Sequence, residues 1–301
     1  MPGKAPMFWK VLRSALLPPV IVLCGLAALA QSPSAQSQGE GASLPADPNQ
    51  FIREAIQHEL QSEIQDRTHW MYRLHREDEK GAQDREVIET KEGSLARTLL
   101  VNGHPLTPDE RDKDEERMRQ LVDNPAERAK KMRHSRQDEE KARQLLQAIP
   151  DAFIFHYEGT GDGLVQLSFI PNPHYNPPTR ELQVYHGMIG KMWIDHSAMR
   201  LARIQGVLAE DVNFGFGLLG HLSKGGSFEV VQKNVGEGHW EAVMLDINMQ
   251  GRAVVFKTLT VTQHDRLTDF HRVPDDLTIA QAFDLLQKAA GTVAESKLSG
   301  H

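Results

Sequence analysis

The sequence is poor in cysteine, and this limits the chemistry open to it. Cys24 is the only cysteine among 301 residues, and it lies inside an apolar segment near the N-terminus. If that segment is removed on export, no disulfide or thiolate chemistry remains and the fold must be stabilised by its own core. The residue before Cys24 is Leu23, not the small residue that a lipoprotein signal requires, so lipid attachment is not expected.

The uncharged apolar run from Ser14 to Ala30 is shorter than a membrane-spanning helix. A membrane-spanning helix needs about 20 apolar residues, whereas this run has 17 and contains Pro18 and Pro19. It follows three cations and ends in an Ala-Leu-Ala pattern before Gln31. The sequence therefore predicts a cleaved signal peptide over residues 1–30 and a periplasmic or secreted location.

The chain also lacks an excess of positive charge. Its formal net charge is −7, and removal of Lys4, Lys10 and Arg13 with the signal peptide takes this to −10. Such an acidic chain is poorly suited to nucleic acid or to anionic lipid surfaces. We therefore expect no nucleic-acid partner.

The spacings of common catalytic and metal sites are missing too. The segment His58–Ser62 begins like a zinc-protease helix, but Ser62 stands where the second His belongs, and Glu59 is expected to be an exposed helix residue. There is no Gly-x-Ser-x-Gly elbow, and the Gly-rich turn 159–163 precedes no helix that could hold a phosphate. We expect no cofactor, no metal and no enzymatic activity. The alternative, an undetected hydrolase, requires polar side chains to converge in one pocket, with candidates His156, His186, His239 and Asp246.

The sequence predicts helices at both ends of a single domain over residues 47–292. Residues 31–46 are rich in Ser, Gln and Gly and predict a flexible leader. Asp47 can cap a helix that begins at Pro48 and carries an apolar residue every fourth position. A last helix is expected from Thr278 to Gly291, with a disordered tail over 293–301.

A charged helical pair is predicted as an insert over residues 108–148. Capping patterns at Thr107–Glu110 and Asn124–Glu127 begin helices of about 108–122 and 125–148. Their surfaces are dense in charge and their apolar stripes are thin, which favours a solvated hairpin packed by one edge on the sheet. The alternative is a mobile lid or an arm for a protein partner.

The remaining segments alternate with a period of two and are joined by short turns. Asn102-Gly103 predicts a hairpin turn. Two strands follow Ala152, and after the Pro-rich loop Pro171–Thr179 come six more in succession with tight connections, which parallel strands cannot have. About eleven strands in one sheet must curl strongly. The predicted fold class is α+β: a strongly curved antiparallel sheet, an unclosed half-barrel, with N- and C-terminal helices and the helical insert.

Asp195 and His196 pose a choice between an acid–base centre and a turn. They lie between two strands whose alternate residues are apolar, and Asp commonly bonds its own backbone in turns. Adjacent strand residues point to opposite faces and make poor catalytic partners. We therefore interpret Asp195-His196 as part of a hairpin turn.

The apolar faces of the late strands predict a concave wall that can shelter hydrocarbon. At any single position the alternative is a plain core contact with covering helices. The expected wall, with two Phe at its rim and Phe256 on a later strand, consists of Met188, Met192, Ile194, Ile204, Leu208, Phe214, Phe216, Val243, Leu245 and Phe256.

The order of elements and the segment 187–208 resemble a known family. A strand ending in Trp193 and Asp195, then a turn, then a strand bearing Arg200 and Arg203, is similar to the bacterial lipoprotein-carrier half-barrels, LolA, LolB and the MucB/RseB sensor domain. The resemblance implies an unclosed barrel whose apolar concave face is covered by helices and can hold acyl chains. The chain differs in its length and in the insert.

These observations predict a non-enzymatic extracytoplasmic protein that binds an apolar ligand such as a lipid, a lipoprotein acyl chain or an amphipathic peptide. The alternative is an envelope sensor or scaffold that holds a protein partner through the insert 108–148. A cavity that retains lipid would favour the first function, and a filled core with an exposed groove at the insert would favour the second.

Overall fold

The computed structural model describes residues 44–214, 220–253 and 257–298. The predicted signal peptide, most of the predicted leader, Phe216 and Phe256 lie outside these ranges. None of the helices within them combines the length and apolar content that a membrane span needs.

Within the described ranges, four α-helices and one 3-10 helix accompany the strands. The α-helices are α1 (Pro48–Gln65), α2 (Pro108–Asp123), α3 (Pro125–Ala152) and α4 (Ile279–Leu298). Thr107 caps α2 through a capping box with Glu110, and Asn124 caps α3 by accepting from two backbone N–H groups. The predicted helix starts are confirmed, whereas α4 continues beyond the end expected at Gly291.

The strands form one open antiparallel sheet, which confirms the predicted fold class. They are β1 (His69–Asp78), β2 (Gly81–Thr90), β3 (Gly93–Val101), β4 (His104–Pro105), β5 (Phe153–Gly161), β6 (Leu164–Pro171), β7 (Met188–Asp195), β8 (Arg200–Leu208), β9 (Val212–Phe214), β10 (Gly220–Leu222), β11 (Ser227–Gly236), β12 (His239–Ala253) and β13 (Lys257–Val273). Eleven of them form the path β4-β3-β2-β1-β13-β12-β11-β8-β7-β6-β5, while β9 and β10 attach beside β12.

The two free edges of this sheet are joined by the helical pair. β4 lies at one edge and β5 at the other, and the chain between them is α2 followed by α3. The sheet is continuous elsewhere because β13, the last strand, pairs with β1 from His69↔Val273 to Asp78↔Gln263. The insert therefore links two edges that the sheet itself leaves unpaired.

The helices pack on both faces of the sheet. Side chains of α1 and α3 join the main cluster, the large set of buried apolar residues that includes Met192 and Val87. The next residue of β2, Ile88, belongs to a smaller outer cluster with α2 and α4, and adjacent strand residues face opposite ways. The insert was expected to be a hairpin packed by one edge; instead Met118 of α2 is buried on one face and Leu146 of α3 on the other.

The residues directly before β7 form a helical turn and do not extend the strand. Glu181–Gly187 forms a 3-10 helix and the strand starts at Met188. Four residues of this helix are buried, and the hydroxyl of Tyr185 donates to the carbonyl oxygen of Leu145 on α3 at 2.9 Å. Val184 and Tyr185 are consecutive and both buried. Successive residues of a strand point to opposite faces, so a helical turn suits this burial better than a strand.

Two glycines allow aromatic rings to lie flat on the curved strands. A Cβ at Gly190 would collide with the carbonyl oxygen of Gln205 and lie 2.5 Å from ring carbon Cζ of Phe169. A Cβ at Gly206 would lie 2.5 Å from ring carbon Cε1 of Phe228. Gly190 and Gly206 are register partners on β7 and β8, so neither strand has a side chain at this point. The rings of Phe169 and Phe228 occupy the space that is left.

We expect Gly190→Ala to destabilise the fold by about 3 kcal/mol, because the added methyl group meets backbone and cannot be accommodated by rotamer changes. Chemical denaturation measures this loss. The control is Gly161→Ala, where an added Cβ meets nothing within 4 Å. Equal stability of the two variants would contradict this account of β7.

Candidate functional site

Six residues of the predicted apolar wall lie together in the main cluster, on the inner face of the curved sheet. They come from β7, β8 and β12, and they are buried to between 0% and 7% relative exposure. Their register pairs across β7 and β8 place them side by side. The six are Met188, Met192, Ile194, Ile204, Leu208 and Leu245.

The other predicted wall residues have different positions. Val231 pairs with Met244 and Gln232 pairs with Ala242, so Val243 is the extra residue of a β-bulge. The bulge shifts the alternation, and Ala242 rather than Val243 is buried in the main cluster. Phe214 is half-buried against that cluster, as a rim position requires.

Two helices cover the wall. Their apolar stripes belong to the same cluster as the six wall residues, which means that the inner face is occupied by helix side chains. The contributing residues are Phe51, Ile52, Ala55 and Ile56 of α1 and Ala142, Leu145, Leu146 and Ile149 of α3.

Asn49 fastens the start of α1 to the end of α3. Its side-chain amide donates to the carbonyl oxygens of Pro150, at 3.1 Å, and Phe153, at 2.7 Å. Its side-chain oxygen accepts from the N–H of Phe155 at 3.0 Å. One side chain therefore joins both covering helices to edge strand β5.

A buried ion pair lies on the same helix, beyond the apolar stripe. Arg200 donates to both oxygens of Glu59, at 2.7 and 3.1 Å, and Glu59 also accepts from the N–H of Leu201 and the side-chain amide of Gln232. Glu59 is 7% exposed, so its expected exposure was wrong. Its spacing three residues after Ile56 placed it on the apolar face, a signal that the sequence did contain.

Glu63 lies one turn further along α1 and is the exception within this polar region. Both of its carboxyl oxygens are buried without a hydrogen-bond partner among the described residues. Burial, followed by the charge of Glu59, raises the pKa of Glu63 to about 8, against the opposing effect of Arg143 and Arg200. At neutral pH this carboxyl is therefore mostly protonated.

A second polar group lies between β1, β12 and β13. Arg76 forms a bidentate pair with fully buried Asp265, at 2.8 and 2.6 Å, and Gln263 donates to the same carboxylate. Burial and then the charges of Glu89 and Glu241 raise the pKa of Tyr72 well above its ordinary value. The inner face thus changes from apolar on β7 and β8 to polar near β1.

The Asp195-His196 pair belongs to a turn, as predicted. Asp195 Oδ1 accepts from the N–H of Ala198 and from the hydroxyl of Ser197, both at 2.8 Å. Met199, at the end of the turn, has a positive φ of 49°. Hairpin geometry accounts for every one of these contacts.

The side chains considered for a hydrolase do not converge: His156 is exposed on β5, and the other three have separate partners. Nδ1 of His239 lies 3.2 Å from a carboxylate oxygen of Asp66. Burial alone would raise the pKa of Asp246, but hydrogen bonds from Arg266 and His264 outweigh this effect and lower it. His186 lies beside the ring of Tyr175. Within the described ranges, no three His, Cys, Asp or Glu side chains are grouped as metal ligands would be.

We expect Glu63→Gln to stabilise the protein at high pH. The folded chain favours the protonated carboxyl, whereas the unfolded chain ionises near pH 4.5. Stability is therefore lost as the pH rises from 4.5 through 8, and the variant should avoid about 4 kcal/mol of that loss at pH 9. Denaturation at pH 4.5 and pH 9, with exposed Glu54→Gln as the control, measures it; an equal effect at both pH values would refute the assignment.

We expect Arg200→Met to cost about 3–5 kcal/mol, because it leaves the Glu59 charge buried without its main partner. The control is Arg53→Met, which removes the solvent-exposed pair with Asp151 and should cost less than about 1 kcal/mol. Denaturation of both variants at pH 7 gives the comparison, and similar small losses would show that the Glu59–Arg200 pair is not buried as described.

Comparison with known proteins gives this chain no relative from which a role could be transferred. No family model, no curated protein and no solved structure matches it.

Proposed function

We propose that this protein is a non-enzymatic, extracytoplasmic binding protein for an apolar ligand, a lipid or the acyl chain of a lipoprotein. The observation that carries the proposal is the set of six inward-facing wall residues, which lie in one cluster of a single curved sheet. An open sheet with one apolar concave face suits the enclosure of a hydrocarbon chain. The signal-peptide pattern at residues 1–30 supports export.

The covering helices α1 and α3 give this wall its proposed mode of action. Their contacts with the six wall residues are apolar, and the polar links of α1 to the sheet, at Asn49 and Glu59, flank this stretch. Hydrocarbon from a guest can therefore replace the apolar contacts while these links stay in place. Each methylene that leaves water contributes about 0.8 kcal/mol, which gives a long chain a substantial affinity. The guest enters between the helices and the sheet, and the helices close over it.

Tryptophan positions allow a direct test of where a guest binds. Trp70 is 4% exposed and lies in the main cluster. Trp193 alternates with Met192 and Ile194 and therefore faces the other way, where the guanidinium of Arg203 lies 4.6 Å from its ring centre. The two rings report on opposite faces of the sheet.

We expect a dibrominated fatty acid to quench Trp70 and to leave Trp193 unaffected. The experiment uses two single-tryptophan forms of the exported chain, in each of which the other two of Trp70, Trp193 and Trp240 are replaced by Phe. The fatty acid is titrated while fluorescence is recorded. Bromine quenches tryptophan fluorescence only at close contact, so the fluorescence of Trp70 alone should decrease. The unbrominated fatty acid is the control. Equal quenching of both would indicate adsorption to the surface, and no quenching of either would overturn the proposal and favour the scaffold alternative.

A further inference from the structure

Two cations lie near the carboxyl of Glu63, but among the described residues neither donates a hydrogen bond to it. The groups that face it are Glu59 on α1, Glu139 and Arg143 on α3, and Arg200 on β8. Arg200 is already engaged in the bidentate pair with Glu59. One of the two cations is therefore used by a different carboxylate.

The second cation, Arg143, divides its donors between the surface of α3 and the seam, the contact between α1 and α3 around Glu63. Its Nη1 donates to Glu140 at 3.3 Å, whereas its Nε is buried without a hydrogen-bond partner among the described residues. Glu139 accepts from the hydroxyl of Ser135 at 3.0 Å. Ionised Glu63 would therefore be a buried carboxylate without a hydrogen-bond partner, which is costly.

Apolar residues lead from the seam to the cover of the wall, passing beside the Glu59–Arg200 pair. Leu60 is half-buried against the main cluster, and Ile56 and Ile52 follow on the same face of α1. Eleven residues of helix separate Glu63 from Ile52, a length of about 16 Å. A molecule with its head at Glu63 could thus extend a long tail along apolar surface.

We propose that Glu63 binds the primary ammonium head of an alkyl amphiphile whose tail lies between α1 and the apolar wall. This inference rests on the proposed function and specifies the class of ligand. An ionised carboxylate only accepts hydrogen bonds, and an ammonium group only donates them and is compact. A phosphate or carboxylate head would instead add a negative charge beside Glu59 and Glu139.

The pH dependence of binding follows from the same contact. Burial raises the pKa of Glu63 to about 8, and Glu59 and Glu139 act in the same direction against Arg143 and Arg200. The carboxylate form needed for the ion pair becomes more populated as the pH rises from 6 to 8. Affinity for an ammonium head therefore increases over that interval, while affinity for a neutral head of the same length stays constant.

The experiment is calorimetric titration of the full chain with decylammonium, 1-decanol and decanoate at pH 6, 7 and 8. The variants are Glu63→Gln and, as a matched control on the same helix, exposed Glu54→Gln. Decylammonium should bind wild type most tightly. Glu63→Gln should weaken decylammonium binding about tenfold to a hundredfold and abolish its pH dependence, while 1-decanol binding remains unchanged and shows that the variant is folded. Glu54→Gln should match wild type.

Two results would overturn the inference, and they differ in what they imply for the proposed function. If Glu63→Gln binds decylammonium as tightly as wild type while 1-decanol also binds, the ammonium site is wrong and the apolar binding function stands. If none of the three compounds binds wild type, both proposals fail.

Discussion

The architecture depends on covering the concave apolar face of a single open sheet. Eleven antiparallel strands in one path bring residues such as Met192, Ile204 and Leu245 to one inner surface, and water must be excluded from it. The same chain segment that joins the two sheet edges supplies α3 for this purpose, while α1 arrives from the N-terminal side. The sheet edges, the covering helices and the core therefore depend on one another. Asn49 joins α1 to the end of α3 and to edge strand β5.

The inner surface is not uniform, and its polar part has a cost that the apolar part must offset. The Glu59–Arg200 and Arg76–Asp265 pairs satisfy their charges through bidentate contacts and extra donors such as Gln232. Such pairs add little net stability, but removing one partner is strongly destabilising because the other charge then remains buried and unpaired. Glu63 stands apart as a buried carboxyl whose oxygens have no hydrogen-bond partner in the described part of the chain. For this reason the seam between α1 and α3 is where a ligand's charge has most to contribute.

Local signals in the sequence located individual elements well. The capping box at Thr107, the Asn102-Gly103 turn and the Asp195 turn form as expected, because each needs only a few neighbouring residues to satisfy its backbone groups. Alternation also assigned Met188, Met192 and Ile194 to the inner face correctly. It failed at Val243, where a bulge adds a residue, since the extra residue is defined by the partner strand and leaves no mark in the local pattern.

By itself the sequence determined the element types, the antiparallel class and most of the inner apolar face, because periodicity and short connections act over a few residues. The tertiary structure decided the pairing of β1 with β13, the placement of α2 and α3 on opposite faces of the sheet, the partners of Glu59 and the burial of the Glu63 carboxyl. These features join residues far apart in the chain, from Glu59 to Arg200 and from Asn49 to Phe155. Their energies depend on desolvation and contact in the folded state, which no local pattern encodes.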